Sequence, residues 1–396
     1  MNDPHGCPGC PNTDRPRRVY EAGIRNVEIR VPWSEYETAP SVYSPEKIKF
    51  LKDRVAMLER NGLKGVLNIE WHRYPGWIWQ IPDSSYVGAA GIRSGDLDRR
   101  SRARRPNIVF NQKVRDHLIG VIRSLAKELG PRHFSSVRVS NGGIQGELAY
   151  PDAREDTLWA YDANAGASGE SVRPATIPRR PLGEWRPGQP ATAEQMEQWY
   201  RWYVAALADA GEFQIVAFKE AGFSGPFQIM MPGKGARPST VAKSLSALSA
   251  GEPRPDELVS MGVAWHMVAR AIHDKDQVSL HCSSVAEENP VDLTKPGDAR
   301  DPMDKANWPF IDGLGASRWI AVIADHYGFL KSGENPGKGD ANGDYYYGGM
   351  AANAVAQAAA AGFVSFDWAH HENLWGKHRL LDDKLAPAIG RSGAGN

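Results

Sequence analysis

Two glutamates, Glu147 and Glu334, occupy positions where paired carboxyl chemistry can be built. Glu147 stands in Gly146-Glu147-Leu148-Ala149-Tyr150-Pro151, a segment that follows the apolar run Ser135–Ser140. Glu334 ends Ser332-Gly333-Glu334, just before Asn335-Pro336-Gly337. Two carboxyl groups facing one pocket suit glycoside hydrolysis. One protonates the leaving oxygen, and the other attacks the anomeric carbon or activates water and stabilises an oxocarbenium-like transition state. A carboxyl group held among tryptophan rings loses solvation, so its pKa rises and it can act as the acid near neutral pH. The competing reading makes Glu334 a turn residue and Glu147 a surface carboxylate.

Other side chains gather at the same points. Trp33, Trp71, Trp368 and Trp375 are candidate sugar platforms, because pyranose rings present apolar C–H faces to aromatic rings; each is equally suited to capping a core. His281 is read as a core histidine with a satisfied ring or as a substrate contact, and Glu372 as a partner for a sugar hydroxyl. Trp199 and Trp202 lie mid-helix and are read as packing. Glu287-Glu288-Asn289-Pro290 is read as a polar loop. Asp367 with His370-His371 suggests a metal, but adjacent residues at a strand end project in different directions, which argues against a shared ion. Cys7 and Cys10 form a C-x-x-C near His5 with no second pair to complete a zinc site, so the segment is read as a plain loop. No metal or cofactor is expected. The chain has no G-x-S-x-G elbow, no Walker A loop and no G-x-G-x-x-G, so acyl transfer and nucleotide chemistry lack support.

These residues need elements to position them, and the chain alternates helix and strand patterns. Strands are predicted at Arg25–Val31, Lys64–Glu70, Ser135–Ser140, Pro226–Met231, Gln277–Cys282, Gly328–Lys331 (leading into Ser332-Gly333-Glu334) and Phe363–Asp367. Helices are predicted at 15–23, after the Ser44-Pro45 cap, and at Asn111–Leu129, Thr192–Ala210, Pro255–Ile272, Ala316–His326 and Gly349–Ala361. This alternation predicts an α/β fold, a (β/α)₈ TIM barrel with its active site at the carboxyl ends of the strands. The strands read as apolar without strict alternation, as expected for burial on both faces. The stretches 72–110 and 148–190 follow strands and are read as long βα loops on the catalytic face. Seven strands are legible, so the first strand is missing or irregular. Residues 1–396 are read as one domain, with about 14 loop-like residues at the N-terminus.

Composition narrows the partners. With 47 basic and 47 acidic side chains the formal net charge is zero, which gives no bulk pull toward nucleic acid or an anionic membrane. The basic run Arg99–Arg105 is read as a solvated loop, with a phosphate or polyanion contact as the lesser alternative. No apolar stretch reaches the roughly 20 residues needed to span a bilayer. The N-terminus has no signal-peptide core, so a cytoplasmic location is the default expectation. The expected partner is a carbohydrate.

The arrangement resembles the clan of barrel glycosidases that carry the acid/base after strand four and the nucleophile after strand seven. The stretch Gly23–Trp33, then Gly62-Leu63-Lys64-Gly65-Val66-Leu67 and Pro75-Gly76-Trp77, is similar to the opening of family-42 β-galactosidases. The Gly146–Pro151 segment also resembles the acid-bearing G-E-L-x-Y-P segment of β-amylases. The resemblance implies Glu147 as acid/base, Glu334 as nucleophile and no cofactor. It sets Arg30 near the nucleophile and brings Tyr150 into the site. Most clan members carry Asn directly before the acid/base; here Gly146 stands there, and Asn141 is the nearest asparagine to contact the sugar. The implied activity is retaining hydrolysis of a β-linked sugar such as a β-galactoside. An inverting, β-amylase-like α-glucan hydrolase and a non-catalytic carbohydrate-binding barrel are the alternatives.

Overall fold

The computed structural model describes residues 14–143, 146–166, 172–233, 235–286, 299–336, 349–369, 374–375 and 380–392. Its main sheet has seven strands: β1 (Asn26–Pro32), β2 (Lys64–Glu70), β3 (Phe134–Val139), β4 (Phe227–Met231), β5 (Val278–Cys282), β6 (Leu330–Glu334) and β7 (Ser365–Asp367). They pair in chain order, and every pair is parallel. Helices intervene, among them α1 (Arg15–Glu21), α2 (Pro45–Arg60), α3 (Gln112–Leu129), α4 (Ala193–Glu220), α5 (Trp265–Ala271), α6 (Ala316–Tyr327), α7 (Ala351–Ala360) and α8 (Ala386–Ser392). The fold is a TIM-type barrel. Its long βα loops carry the segments the site needs. None of the described helices is long and apolar enough to cross a membrane.

Local chemistry explains the helix boundaries. The Ser44 hydroxyl accepts from the Lys47 amide at 3.1 Å, and Pro45 opens α2, so the first turn has its cap and its preset φ. Leu51, Val55 and Leu58 then bury one face. Asn111 caps α3 in the same way, through the Val114 amide. Two boundaries differ from the sequence reading. Helix α4 runs on to Glu220 instead of stopping at Ala210, because Ile215, Ala217 and Phe218 extend its buried face. The predicted helix Pro255–Ile272 is broken into Glu257–Ser260 and α5. Between them Gly262 has φ +71°, and a Cβ there would stand 2.8 Å from the Tyr150 ring.

The strands do alternate, contrary to the sequence reading. Val27, Ile29, Val31, Leu67, Val137, Val139, Ile229 and Leu280 are buried on one face. The other face carries Glu28, Arg30, Asn68, Arg138, Gln228, His281, Ser332, Glu334 and Asp367. Contacts across the sheet show that this second face lines the barrel interior. Arg138 on β3 bonds to Glu334 on β6 and Asp367 on β7, and Gln228 on β4 donates to Ser365 on β7 at 3.0 Å. Strands so far apart in pairing order meet only if the sheet curls. Both faces are buried as expected, but the inner one is polar, where bulky branched residues are the rule.

Among the described residues no strand joins β7 back to β1. At this seam a cavity of about 250 Å³ is lined by Ile24, Asn26, Val355, Phe366, Trp368 and Leu385, among others. Beside it α1 is tied to the C-terminal region: Arg18 donates to Asp382 at 2.6 Å, and Arg15 and Arg18 lie over the Trp375 ring.

Candidate active site

The barrel interior centres on Arg138. Its guanidinium lies 2.8 Å from Glu334, 3.1 Å from Asp367 and 3.3 Å from Glu28. Glu28 also accepts from Arg30 at 2.9 Å and from Asn68 at 2.6 Å. All three carboxylates are buried or nearly so, as is Arg138. Burial works to raise the pKa of Glu334, but the Arg138 charge and His281 outweigh it and hold the carboxyl well below its ordinary value. Glu28 is lowered too, with burial opposed by Arg138 and Arg30. Glu334 is thus a carboxylate at the end of a strand whose surroundings favour its ionised form. His281 sits beside it, with Nε2 at 3.8 Å from Glu334 Oε2 and Nδ1 at 3.0 Å from the Ser332 hydroxyl.

A second group stands at the ends of β2 and β3. Glu70 is held above its ordinary value, chiefly by burial, against the pull of Arg30 and Arg73. His72 Nε2 lies 3.9 Å from Glu70 Oε1. The glycine before Glu147 packs on this histidine, so that a Cβ on Gly146 would stand 3.3 Å from His72 Nδ1. The Glu147 segment is pinned from several sides. The Glu147 carbonyl accepts from the Gly143 amide at 2.9 Å, the Leu148 amide donates to the Met230 carbonyl, and the Ala149 amide donates to Asn141 Oδ1. Arg105 Nε donates to the Gly142 carbonyl at 2.7 Å and feels the Glu147 charge. Glu147 itself is partly exposed.

His72 gives a direct check on this environment. Burial first, then Arg105, Arg73 and Arg30, push its pKa down to about 4. Its ring is expected to titrate by proton NMR with a midpoint about 4 instead of the ordinary 6.5. A midpoint above about 6 contradicts a buried, guanidinium-ringed histidine.

The other sequence-predicted residues divide sharply. Glu334 ends β6 and Glu147 lies in the loop after β3, two strands that stand three places apart in the sheet. Arg30 bonds Glu28 and lies 4.0 Å from Glu70; Arg138, rather than Arg30, is the guanidinium on Glu334. Trp33 and Trp71 are fully buried and pack edge-to-face at 5.4 Å, with their indole N–H groups donating to Glu37 and Gln214. They cap the core. Tyr150 is also fully buried, stacked on Tyr203 at 3.9 Å with its hydroxyl donating to the Tyr203 carbonyl. Asn141 is buried and braces the Glu147 loop. Trp368 is buried at the seam, and Trp375 lies under Arg15 and Arg18. Glu372, His370, His371, Glu287, Glu288, Cys7 and Cys10 lie outside the described residues. Trp199 and Trp202 are packed in the core, as predicted.

Sequence reading missed Glu28, Asn68, Glu70, His72 and Arg138. The signal was there. A charge flanked by Val and Ile inside a short strand, as in Val27-Glu28-Ile29-Arg30-Val31 and Val137-Arg138-Val139, must find a partner on the buried face.

No protein-family profile and no curated protein matches this sequence. Solved structures do resemble it. The catalytic domain of β-amylase from Paenibacillus polymyxa superposes with TM-score 0.54 at 13% identity, covering 96% of this chain and 93% of that one. A β-galactosidase from the haloarchaeon Halorubrum lacusprofundi gives TM-score 0.55 at 10% identity, over 99% of this chain and 57% of that one. A catalytic mutant of a GH42 β-galactosidase from G. stearothermophilus gives 0.54 at 13%, over 96% and 54%. The chain thus spans little more than half of each β-galactosidase. At these identities the likeness establishes the barrel fold.

Proposed function

We propose that this protein is a glycoside hydrolase acting on a β-linked sugar, with Glu334 as nucleophile and Glu147 as acid/base. The observation that carries the reading is the carboxylate surplus in the barrel: Glu28, Glu334 and Asp367 gather on Arg138, and Arg30 adds one further guanidinium, on Glu28, so that three carboxylates face two guanidinium groups. A site with excess buried negative charge favours a reaction that develops positive charge, as an oxocarbenium-like transition state does. Glu334 has the depressed pKa that a nucleophile needs. Glu147, in the loop after β3, is partly exposed. The fold likeness to two β-galactosidases is consistent with this chemistry. A retaining reaction requires the two carboxyl groups to be about 5–5.5 Å apart in the substrate complex, and an inverting one about 6.5–9.5 Å.

A panel of aryl and alkyl glycosides tests the assignment, with product anomers followed by NMR. Loss of the acid matters little when the leaving group departs unaided. Glu147→Gln is therefore expected to cost about 10²–10⁴-fold in kcat/KM on alkyl glycosides and far less in kcat/KM on dinitrophenyl glycosides. An equal loss on both removes Glu147 from the acid role. Glu70, whose carboxyl is held high, is then the carboxyl to test next by the same comparison.

A further inference from the structure

The basic run Arg99–Arg105 is not a uniformly solvated loop. Arg105, which braces the Glu147 segment, and Arg104, which lies over the Trp79 ring at 5.1 Å, are both partly buried and anchor the run to the rim. Further out, Arg100, Arg102 and Arg154 line an open cavity of about 340 Å³ together with Ser101, Asp152 and Glu155. The two carboxylates of that cavity are already engaged. Arg154 grips Asp152 through both oxygens, and Glu155 accepts from the Ser101 hydroxyl at 3.0 Å. Among the described residues Arg100 and Arg102 make no ion pair, and both are exposed.

Two further facts favour an anionic ligand over mere solvation. The run holds five arginines and no lysine in a chain of zero net charge, and the guanidinium fork suits carboxylate and sulfate oxygens better than an ammonium does. The cavity is also lined by the loops after β2 and β3, the same two loops that carry His72 and Glu147.

We propose that Arg100 and Arg102, with Arg154 beside them, form a subsite for an anionic sugar unit, carrying a carboxylate or a sulfate ester, outside the two-carboxylate centre. The identity of the ligand as a sugar rests on the glycosidase reading; its negative charge rests on the arginines alone.

Affinity electrophoresis of the full chain tests this directly, using alginate and carboxymethyl-cellulose for carboxylates, dextran sulfate for sulfates and hydroxyethyl-cellulose as the neutral polymer. Retardation by a carboxylate or sulfate polymer and not by the neutral one is expected, and which polymer retards the protein identifies the anion. Arg100→Ala combined with Arg102→Ala is expected to weaken that binding about tenfold or more. Arg60→Ala combined with Arg132→Ala removes the same charge from two exposed sites on other elements and is expected to change nothing. Equal losses in both double variants, or no binding of any anionic polymer, overturn the subsite. Because retardation needs no hydrolysis, a chain that binds through these arginines yet cleaves no glycoside loses the glycosidase reading and keeps the subsite. Hydrolysis of neutral glycosides with no anionic binding does the reverse.

Discussion

Glu334→Gln is expected to lower turnover of every glycoside the wild type cleaves by about 10³-fold or more, including dinitrophenyl substrates, while leaving the fold intact. Glutamine is nearly isosteric and keeps an oxygen for Arg138. Arg138 in turn keeps Glu28 at 3.3 Å and Asp367 at 3.1 Å. What disappears is the nucleophile's negative charge, which the amide cannot supply. The contrast with Glu147→Gln is the informative part. Loss of the acid is masked by a good leaving group, whereas loss of the nucleophile is not. Steady-state kinetics on the two substrate classes, with urea unfolding as the control for folding, reads both effects. Wild-type rates in the Glu334→Gln protein would end the assignment of nucleophile.

Arg138→Leu is expected to cost about 3–5 kcal/mol of stability at pH 7, because it strands buried carboxylates without their counter-charge. The pH dependence distinguishes this from simple loss of packing. In the wild type the Glu28 and Glu334 carboxyls titrate below their unfolded value of about 4.3. Their contribution is therefore complete above that pH and is lost as pH falls toward the folded values. Without Arg138, Arg30 at Glu28 and His281 at Glu334 are left to oppose burial, so both pKa values rise, and the variant is penalised above about pH 4 and relieved below it. Urea unfolding at pH 7 and at pH 3.5 is expected to show a large gap that narrows in acid. A gap under 1 kcal/mol at pH 7, or one that stays constant with pH, contradicts an electrostatic role for Arg138.

Much of the barrel is readable along the chain because helices and strands announce themselves locally. The Ser44-Pro45 start, the Asn111 cap and the apolar face of α2 are short-range patterns, and the predicted strand Lys64–Glu70 coincides with β2. The end of α4 was not readable, since only tertiary packing buries Ile215 and Phe218. The break at Gly262 was missed because the ring that excludes a side chain there, Tyr150, comes from a distant loop.

The sequence by itself determined that this is an α/β barrel whose strand ends are rich in carboxylates, and it nominated Glu147 and Glu334. Tertiary structure alone decided which charges meet. Arg138 is 110 residues from Glu28, 196 from Glu334 and 229 from Asp367, and no local pattern specifies that one guanidinium will serve all three. It also decided which aromatic rings are core, because exposure depends on neighbours that periodicity does not name: Trp33, Trp71 and Tyr150 are covered. Pairing and burial are non-local, and a buried charge is tolerable only where curling of the sheet brings its opposite within reach.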